Sequence, residues 1–309
     1  MNLQYLKELW LCSKRSVLRR RDKALDIVRA KIERQNEVKI FTFQDAVVMT
    51  EKWSKQIPSN FDVIIGVPRG GLLMAAILAS KFNKPLSTPE NFARGEIWYS
   101  RIGSQSTNIR NVLFVEDSVG SGSRIKSAID SVCKRNPNII YKTAALCWLN
   151  PATFSPDYYF FRKQRPIIFE WNLLINSYGE CVDMDGVLCA DCPPHYDDDG
   201  GRYMKWIENA KPHLIPSFEI EAIITSRLEK YRQPTIDWLN RHNVKYKKLI
   251  MLNLPSKNMR TEKIILRHKI DNINKLSPFW YWESDYWQAV KIRKQVKCKV
   301  LCIDKLLIL

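Results

Sequence analysis

From residue 38 onward, short apolar runs alternate with longer mixed segments. Val63–Val67 predicts a buried strand. The turn Pro68-Arg69-Gly70-Gly71 follows it, and Leu72–Phe82 then predicts an apolar helix. Val112–Val115 predicts a second strand, with a Gly/Ser loop and a helix from about Ile125 behind it, and Ala144–Leu149 predicts a third. The aromatic, Pro-punctuated stretch Pro151–Asn172 reads as an edge strand and a connector. The alternation then resumes with Cys181–Met184, Ala222–Thr225, Leu249–Leu252 and Phe279–Trp282, and ends near Val300–Ile303. Strands alternating with helices form parallel, doubly wound sheets, which bind ligands at the carboxyl ends of their strands. The expected fold is α/β, with one such domain and its connector over residues 38–178 and a second over 179–309.

Residues 1–37 follow another pattern. Leu3, Leu6, Leu9 and Trp10 recur at helical spacing, as do Leu18, Leu25, Ile27 and Val28, around the basic cluster Arg19-Arg20-Arg21. This predicts a basic N-terminal helical segment. Packing on the first domain is the favoured role, and contact with a nucleic-acid or protein partner is the other.

Composition narrows the class. The chain has 309 residues, 45% of them hydrophobic, which is enough for two cores. The sequence has no apolar run long enough to cross a bilayer and no N-terminal apolar stretch ending at a small-residue cleavage site. A cytoplasmic protein with no membrane partner is expected, and a homo-oligomer is compatible with the pattern. Eight cysteines without framework spacing point to reduced thiols. Cys189-Ala190-Asp191-Cys192 with His195 lacks the second pair that a zinc site needs, so free thiols are favoured there too. The formal charge of +17 attracts polyanions. Because it is spread along the chain, small phosphate ligands are favoured over nucleic acid.

Two loops of the first domain carry candidate chemistry. Gly66-Val67-Pro68-Arg69-Gly70-Gly71-Leu72 puts glycines directly after a buried strand, where backbone amides can approach an anion and Arg69 adds charge. Val112-Leu113-Phe114-Val115-Glu116-Asp117-Ser118-Val119-Gly120-Ser121-Gly122-Ser123 runs from an apolar strand into two acids and then a Ser/Gly loop that opens a helix. Such a loop can hold a phosphate at the helix N-terminus, while the acids face ribose hydroxyls or a magnesium ion. Together the loops resemble those of type I phosphoribosyltransferases, of the orotate phosphoribosyltransferase-like kind. The resemblance implies a phosphoribosyl pyrophosphate (PRPP) substrate and magnesium. It gives Arg69, Gly70 and Gly71 to the pyrophosphate loop, and Glu116 and Asp117 to the ribose hydroxyls. Val119, Gly120, Ser121, Gly122 and Ser123 would hold the 5′-phosphate. Arg124 departs from the pattern, which often has Thr or Ser there. Pro89–Arg110, with Arg94 and Arg101, is the candidate closing loop, and Trp148 is a candidate stacking residue for the base.

In the second domain, Asp183-Met184-Asp185-Gly186 follows an apolar strand. Carboxylates at i and i+2 of an extended segment point the same way, so one can attack phosphorus while the other donates a proton. Thr225 ends another apolar strand, and Lys269 precedes Phe279-Trp280-Tyr281-Trp282-Glu283-Ser284-Asp285. In this order the motifs resemble those of haloacid-dehalogenase-like (HAD) phosphatases. That resemblance implies Asp183 as nucleophile, Asp185 as general acid/base, Thr225 on the phosphate and Lys269 on the phosphoryl group and Asp183. Lys263 is the rival for the lysine role. Magnesium would be held by Asp183 and Asp185 with Glu283 or Asp285. The short interval after the first motif, with Asp197-Asp198-Asp199-Gly200-Gly201, leaves room for a small cap at most.

The leading expectation is an enzyme that transfers a phosphoribosyl group to or from a nucleobase-like substrate. It would also hydrolyse a phosphomonoester, the nucleotide product being the natural candidate. A second class fits the same pattern: a toxic or regulatory effector of a bacterial defence or stress system that binds nucleotide and a nucleic-acid or protein partner. Turnover of PRPP and a base by the isolated chain separates the two.

Overall fold

The computed structural model describes residues 40–99, 108–164, 167–175 and 177–309. The basic segment expected over residues 1–37, and Arg101, lie outside the described residues. The chain divides into two compact units, one ending at Ile167 and one beginning at Ile168.

The first unit opens with β1 (Ile40–Phe41), where Phe41 stacks on Phe161. The helix Phe43–Ser54 follows, its first turn closed by a capping box between Thr42 and Asp45. The sheet contains β2 (Val63–Gly66), β3 (Leu86–Ser87), β4 (Asn111–Val119), β5 (Ile140–Asn150) and β6 (Tyr158–Gln164). Its order is β3-β2-β4-β5-β6, and every pairing is parallel. Every residue of β2 is buried, as a strand covered on both faces requires. One core cluster joins Val63, Ile65, Val112 and Phe114 of the sheet to Ile125, Ile129 and Val132 of the helix Ser123–Cys133. The helix Gly70–Phe82 packs on β2 and β4. The chain moves outward from β2 to β3 and then returns to place β4 on the other side of β2. The loops after β2 and β4 therefore part around a crevice at the carboxyl ends.

The second unit begins with β7 (Ile168–Phe169). Its sheet contains β8 (Glu180–Val182), β9 (Ala222–Leu228), β10 (Leu249–Leu252), β11 (Trp280–Glu283), β12 (Lys299–Cys302) and β13 (Leu307–Ile308). The order is β10-β9-β8-β11-β12-β13, parallel except for the antiparallel β13. The strand order reverses at β8, which lies between β9 and β11, and Asp183 directly follows β8. Trp280, Tyr281 and Trp282 of β11 are fully buried, so that strand packs on both faces. The helices are Gly201–Asn209, Arg232–Arg241, Glu262–Leu276 and Tyr286–Arg293. The described cysteines are free thiols. Among the described residues, no helix is long and apolar enough to cross a membrane.

Strand lengths depart from the apolar runs for one reason. A strand ends where its ladder ends, and polar side chains do not stop a ladder. β4 continues through Glu116, Asp117 and Ser118 because β5 pairs with it as far as Val119 opposite Trp148. β5 begins at exposed Ile140 because that residue pairs with Asn111. β9 likewise runs three residues past Thr225, to Leu228. β3 and β13 have two residues each, too few to show a periodicity.

The start of the helix Gly70–Phe82 presses against β4. A Cβ on Gly71 would lie 2.3 Å from the Val115 carbonyl oxygen and 2.8 Å from Glu116 Cα. Both neighbours are backbone and cannot swing away. Gly71→Ala is expected to destabilise the first unit by about 1–3 kcal/mol, read as a lower melting temperature. An unchanged melting temperature would show that helix and strand can separate freely.

Candidate active sites

In the first unit, the two expected loops meet at the crevice. Glu116 and Asp117 are both buried, and as neighbours on a strand they point to opposite faces of the sheet. Ser118 Oγ donates to Asp117 Oδ1 at 3.1 Å. Glu116 has no such partner: both of its carboxylate oxygens are buried without a hydrogen bond. Burial, reinforced by the adjacent Asp117 and opposed by Arg124, pushes the Glu116 carboxyl up to about 8. An orphaned buried acid at a loop junction fits a ligand that brings hydroxyls or positive charge.

Arg124 joins the two loops. Its guanidinium donates to the Pro68 carbonyl of the first loop and lies 3.5 Å from Glu116 of the second. The position that breaks the family pattern thus holds the crevice together. Arg69 is exposed, and Gly70 and Gly71 are buried at the helix start. In the second loop, Gly120 O accepts from Thr153 N at 3.1 Å and Phe154 N at 3.2 Å. Gly122 has φ +72°, and a Cβ there would meet the Phe154 ring at 2.5 Å, so this turn needs glycine. Ser121 and Ser123 bring their hydroxyls to 3.2 Å of each other, and Ser123 begins an 11-residue helix. Val119, Gly120, Ser121, Gly122 and Ser123 therefore form a hydroxyl-rich turn at a helix N-terminus, the arrangement that receives a phosphate.

Trp148 lies on β5, with Arg162 over its ring at 4.1 Å and Tyr159 edge-on at 5.0 Å. One face of the expected stacking residue is thus covered by β6. In the candidate closing loop, the helix Pro89–Ala93 is followed by Arg94, whose guanidinium lies 3.9 Å from Glu90.

In the second unit, Lys269 is the centre. Its Nζ lies 2.6 Å from Asp183 Oδ2 and 2.7 Å from Glu283 Oε2, with all three residues buried. Met184 N donates to Asp183 Oδ1 at 2.7 Å. The rival Lys263 is exposed. Burial raises the Glu283 carboxyl to about 7, with Lys269 opposing the rise and Asp183 adding to it. Burial also raises Asp183. Burial alone would lower Lys269, but the charges of Asp183 and Glu283 outweigh it and raise the ammonium.

Asp185 has a different partner. Arg227 donates to it through Nη2 at 2.6 Å to Oδ1 and through Nε at 3.1 Å to Oδ2. Arg227 is fully buried, also reaches Thr235 and Cys189, and lies 5.2 Å from the Trp206 ring. Sequence reasoning gave Arg227 no role. The available signal was a basic residue two positions after Thr225, still within a strand that opens with the apolar run Ala222–Ile224. Thr225 is buried, and its Oγ1 accepts from Arg227 N at 3.2 Å.

The four acids expected around magnesium are not drawn to one point. Asp183 and Glu283 share Lys269, Asp185 is held by Arg227, and Asp285 caps the helix Tyr286–Arg293 through Gln288 N at 2.7 Å. Among the described residues, no group of three or more His, Cys, Asp or Glu side chains is placed to hold a metal ion. Two of the four, Asp183 and Glu283, are brought together, at Lys269. The Cys189–Cys192 stretch belongs to the same description, since Cys189 lies buried against Arg227 and Asp185.

Residues 43–180 match the phosphoribosyl transferase domain family. No curated protein matches the chain. Among solved structures, a xanthine-guanine-hypoxanthine phosphoribosyltransferase from Helicobacter pylori is 16% identical. It has a TM-score of 0.34 over 44% of this chain and 95% of its own. A purine phosphoribosyltransferase from Pyrococcus horikoshii is 26% identical, with a TM-score of 0.30 over 43% and 93%. An orotate phosphoribosyltransferase from Aeropyrum pernix is 23% identical, with a TM-score of 0.27 over 35% and 58%. The match of residues 43–180 to that domain family supports phosphoribosyl transfer at the level of the family.

The Glu116 carboxyl sets a pH dependence. A buried acid whose native pKa, about 8, lies above its ordinary 4.5 stabilises the fold below the lower value and loses that contribution as pH rises through the higher. The ligand-free first unit is therefore expected to melt at lower temperature as pH rises from about 5 to 9. Glu116→Gln should flatten that dependence and stabilise the alkaline end by on the order of a few kcal/mol. Superimposable melting profiles for wild type and variant would remove Glu116 as the cause.

Proposed function

We propose that the chain transfers a phosphoribosyl group between PRPP and a nucleobase-like substrate, and that its second unit hydrolyses a phosphomonoester, the nucleotide product being the natural one. The observation that carries the first half is the orphaned Glu116 carboxylate, bridged by Arg124 to the Pro68–Gly71 loop. Glu116 and Asp117 would accept hydrogen bonds from the ribose hydroxyls. The Val119–Ser123 turn would hold the 5′-phosphate, and Arg69 with the Gly70 and Gly71 amides would face the pyrophosphate. In the forward direction a ring nitrogen bonds to ribose C1 as the bond from C1 to the pyrophosphate oxygen breaks. The electron pair leaves with pyrophosphate, and the base loses its nitrogen-bound proton. Charge develops on ribose and leaving group alike, so fixed dipoles and cations supply most of the stabilisation. Magnesium, when bound with PRPP, would neutralise the leaving pyrophosphate.

The second half rests on Asp183, held by Lys269 at the reversal point of a parallel sheet. Asp183 would attack phosphorus, and the bond to the leaving oxygen would break with a proton delivered from Asp185. Water would then cleave the acyl phosphate. Lys269 would hold the phosphoryl oxygens, and Thr225 would line the same pocket. This follows the HAD-like order of motifs.

Two measurements test the two halves separately. Glu116→Gln with Asp117→Asn should weaken PRPP binding by about a hundredfold or more, the loss of two charge-assisted hydrogen bonds. Calorimetry with PRPP and magnesium reads it, and an unchanged Kd, or no binding by wild type, rejects the transferase reading. Asp183→Asn should lower hydrolysis of p-nitrophenyl phosphate by roughly a thousandfold or more, because an amide is a poor nucleophile. Near-normal turnover by that variant rejects the phosphatase reading.

A further inference from the structure

The Asp-rich loop of the second unit is fastened by charge. Within residues 191–199, the backbone-to-backbone hydrogen bonds found among the described residues stay inside the loop, as Tyr196 N to Pro193 O, Asp197 N to Pro194 O and Asp198 N to Tyr196 O. Cys192 packs on the core of the unit, and the Asp197–Asp199 stretch is attached by a set of cations on the segments after β9 and β10. Lys257 Nζ lies 2.9 Å from Asp197 Oδ2, and Arg260 Nη2 lies 3.0 Å from the same oxygen. Lys230 Nζ lies 2.9 Å from Asp199 Oδ1, which also accepts from Tyr231 OH at 3.0 Å. Lys257 N donates to Asp199 Oδ2 at 3.0 Å. Asp198 is occupied elsewhere, accepting from Gly200 N, Tyr203 N and Arg202 at the start of the helix Gly201–Asn209.

Three cations thus face two carboxylates. The cations stand beside the phosphoryl pocket, because Arg260 also reaches the carbonyl of Ser226, the residue after Thr225. A planar guanidinium and two ammonium groups, all facing the Asp197–Asp199 stretch, match a phosphate monoester, which offers more acceptor oxygens and more charge than a carboxylate. The ties are side-chain ion pairs, with Lys257 and Lys230 more than a third exposed, so salt and competing anions weaken them. Resting on the phosphatase reading of this unit, we propose that Lys230, Lys257 and Arg260 form a subsite for a second phosphate of the substrate, and that the Asp197–Asp199 loop fills it when no ligand is bound. A substrate with two phosphates displaces the loop, and one with a single phosphate does not.

The full chain tests this with p-nitrophenyl phosphate, a nucleoside 3′,5′-bisphosphate and a short oligonucleotide carrying a terminal phosphate. Asp197→Asn with Asp199→Asn removes the competitor. KM for the two-phosphate substrates should fall about tenfold with kcat unchanged, while the kinetics with p-nitrophenyl phosphate stay as they are. Lys257→Gln with Arg260→Gln should lower the preference for two phosphates over one by a similar factor. An effect shared by the bisphosphate and the oligonucleotide assigns the subsite to a mononucleotide's second phosphate, and one confined to the oligonucleotide assigns it to a nucleic-acid backbone. KM values that move together for all substrates, or not at all, overturn the subsite. Melting curves check that each variant is folded, and Lys257→Arg, which keeps the charge, should retain the wild-type preference. Calorimetry of the bisphosphate on wild type and on Lys257→Gln with Arg260→Gln gives a readout independent of turnover. An unchanged Kd overturns the subsite. A weakened Kd without Asp183-dependent hydrolysis overturns only the phosphatase reading.

Discussion

Lys269 is one positive charge shared by two buried carboxylates, and the second unit is arranged around it. Asp183 comes from the end of β8, Glu283 from the end of β11 and Lys269 from the helix Glu262–Leu276. Charges taken out of water are tolerable only when they are paired, and removing one partner of a buried pair typically costs about 3–5 kcal/mol. The triad therefore fixes the relation of two neighbouring strand ends and the helix that covers them. Burial raises the Glu283 carboxyl to about 7, and the second carboxylate of the triad, Asp183, adds to the rise that Lys269 opposes. The charges of Asp183 and Glu283 keep the Lys269 ammonium protonated.

The first unit meets the same constraint differently. Its sheet also reverses direction, between β2 and β4, and its crevice also carries acids at the strand ends. There, however, Glu116 is left without a hydrogen bond, and Arg124 approaches it only to 3.5 Å. The two units thus store charge in opposite ways. One has a satisfied ionic cluster, and the other has an acid that one cation approaches and no hydrogen bond reaches.

Much of this was legible in the sequence because parallel strands announce themselves as apolar runs and their sites as the polar residues that follow. Leu249–Leu252 could be read to the residue, and Lys269, singled out from the sequence over Lys263, lies against Asp183. What could not be read was pairing. Nothing in the spacing shows that Asp185 belongs to Arg227, 42 residues away, or that Asp197 belongs to Lys257 and Arg260, about 60 away. Those partners are set by which strand ends lie side by side, and a reading of single segments does not contain that information. Of the acids expected around one ion, Asp183 and Glu283 meet at Lys269, while Asp185 pairs with Arg227 and Asp285 caps a helix. Arg124 looked like a defect in a motif because its use, a bridge to the carbonyl of Pro68, lies across the crevice.

That bridge has a mechanical consequence. The loop after β2 and the loop after β4 are separated by more than 40 residues of sequence, yet one guanidinium grips both. An anion that draws Arg124 toward itself must loosen the grip on Pro68 or on Glu116. A shift of either loop is then felt by the other. The crevice behaves as a latch with a single pin, and what enters on one side alters how firmly the other side is shut.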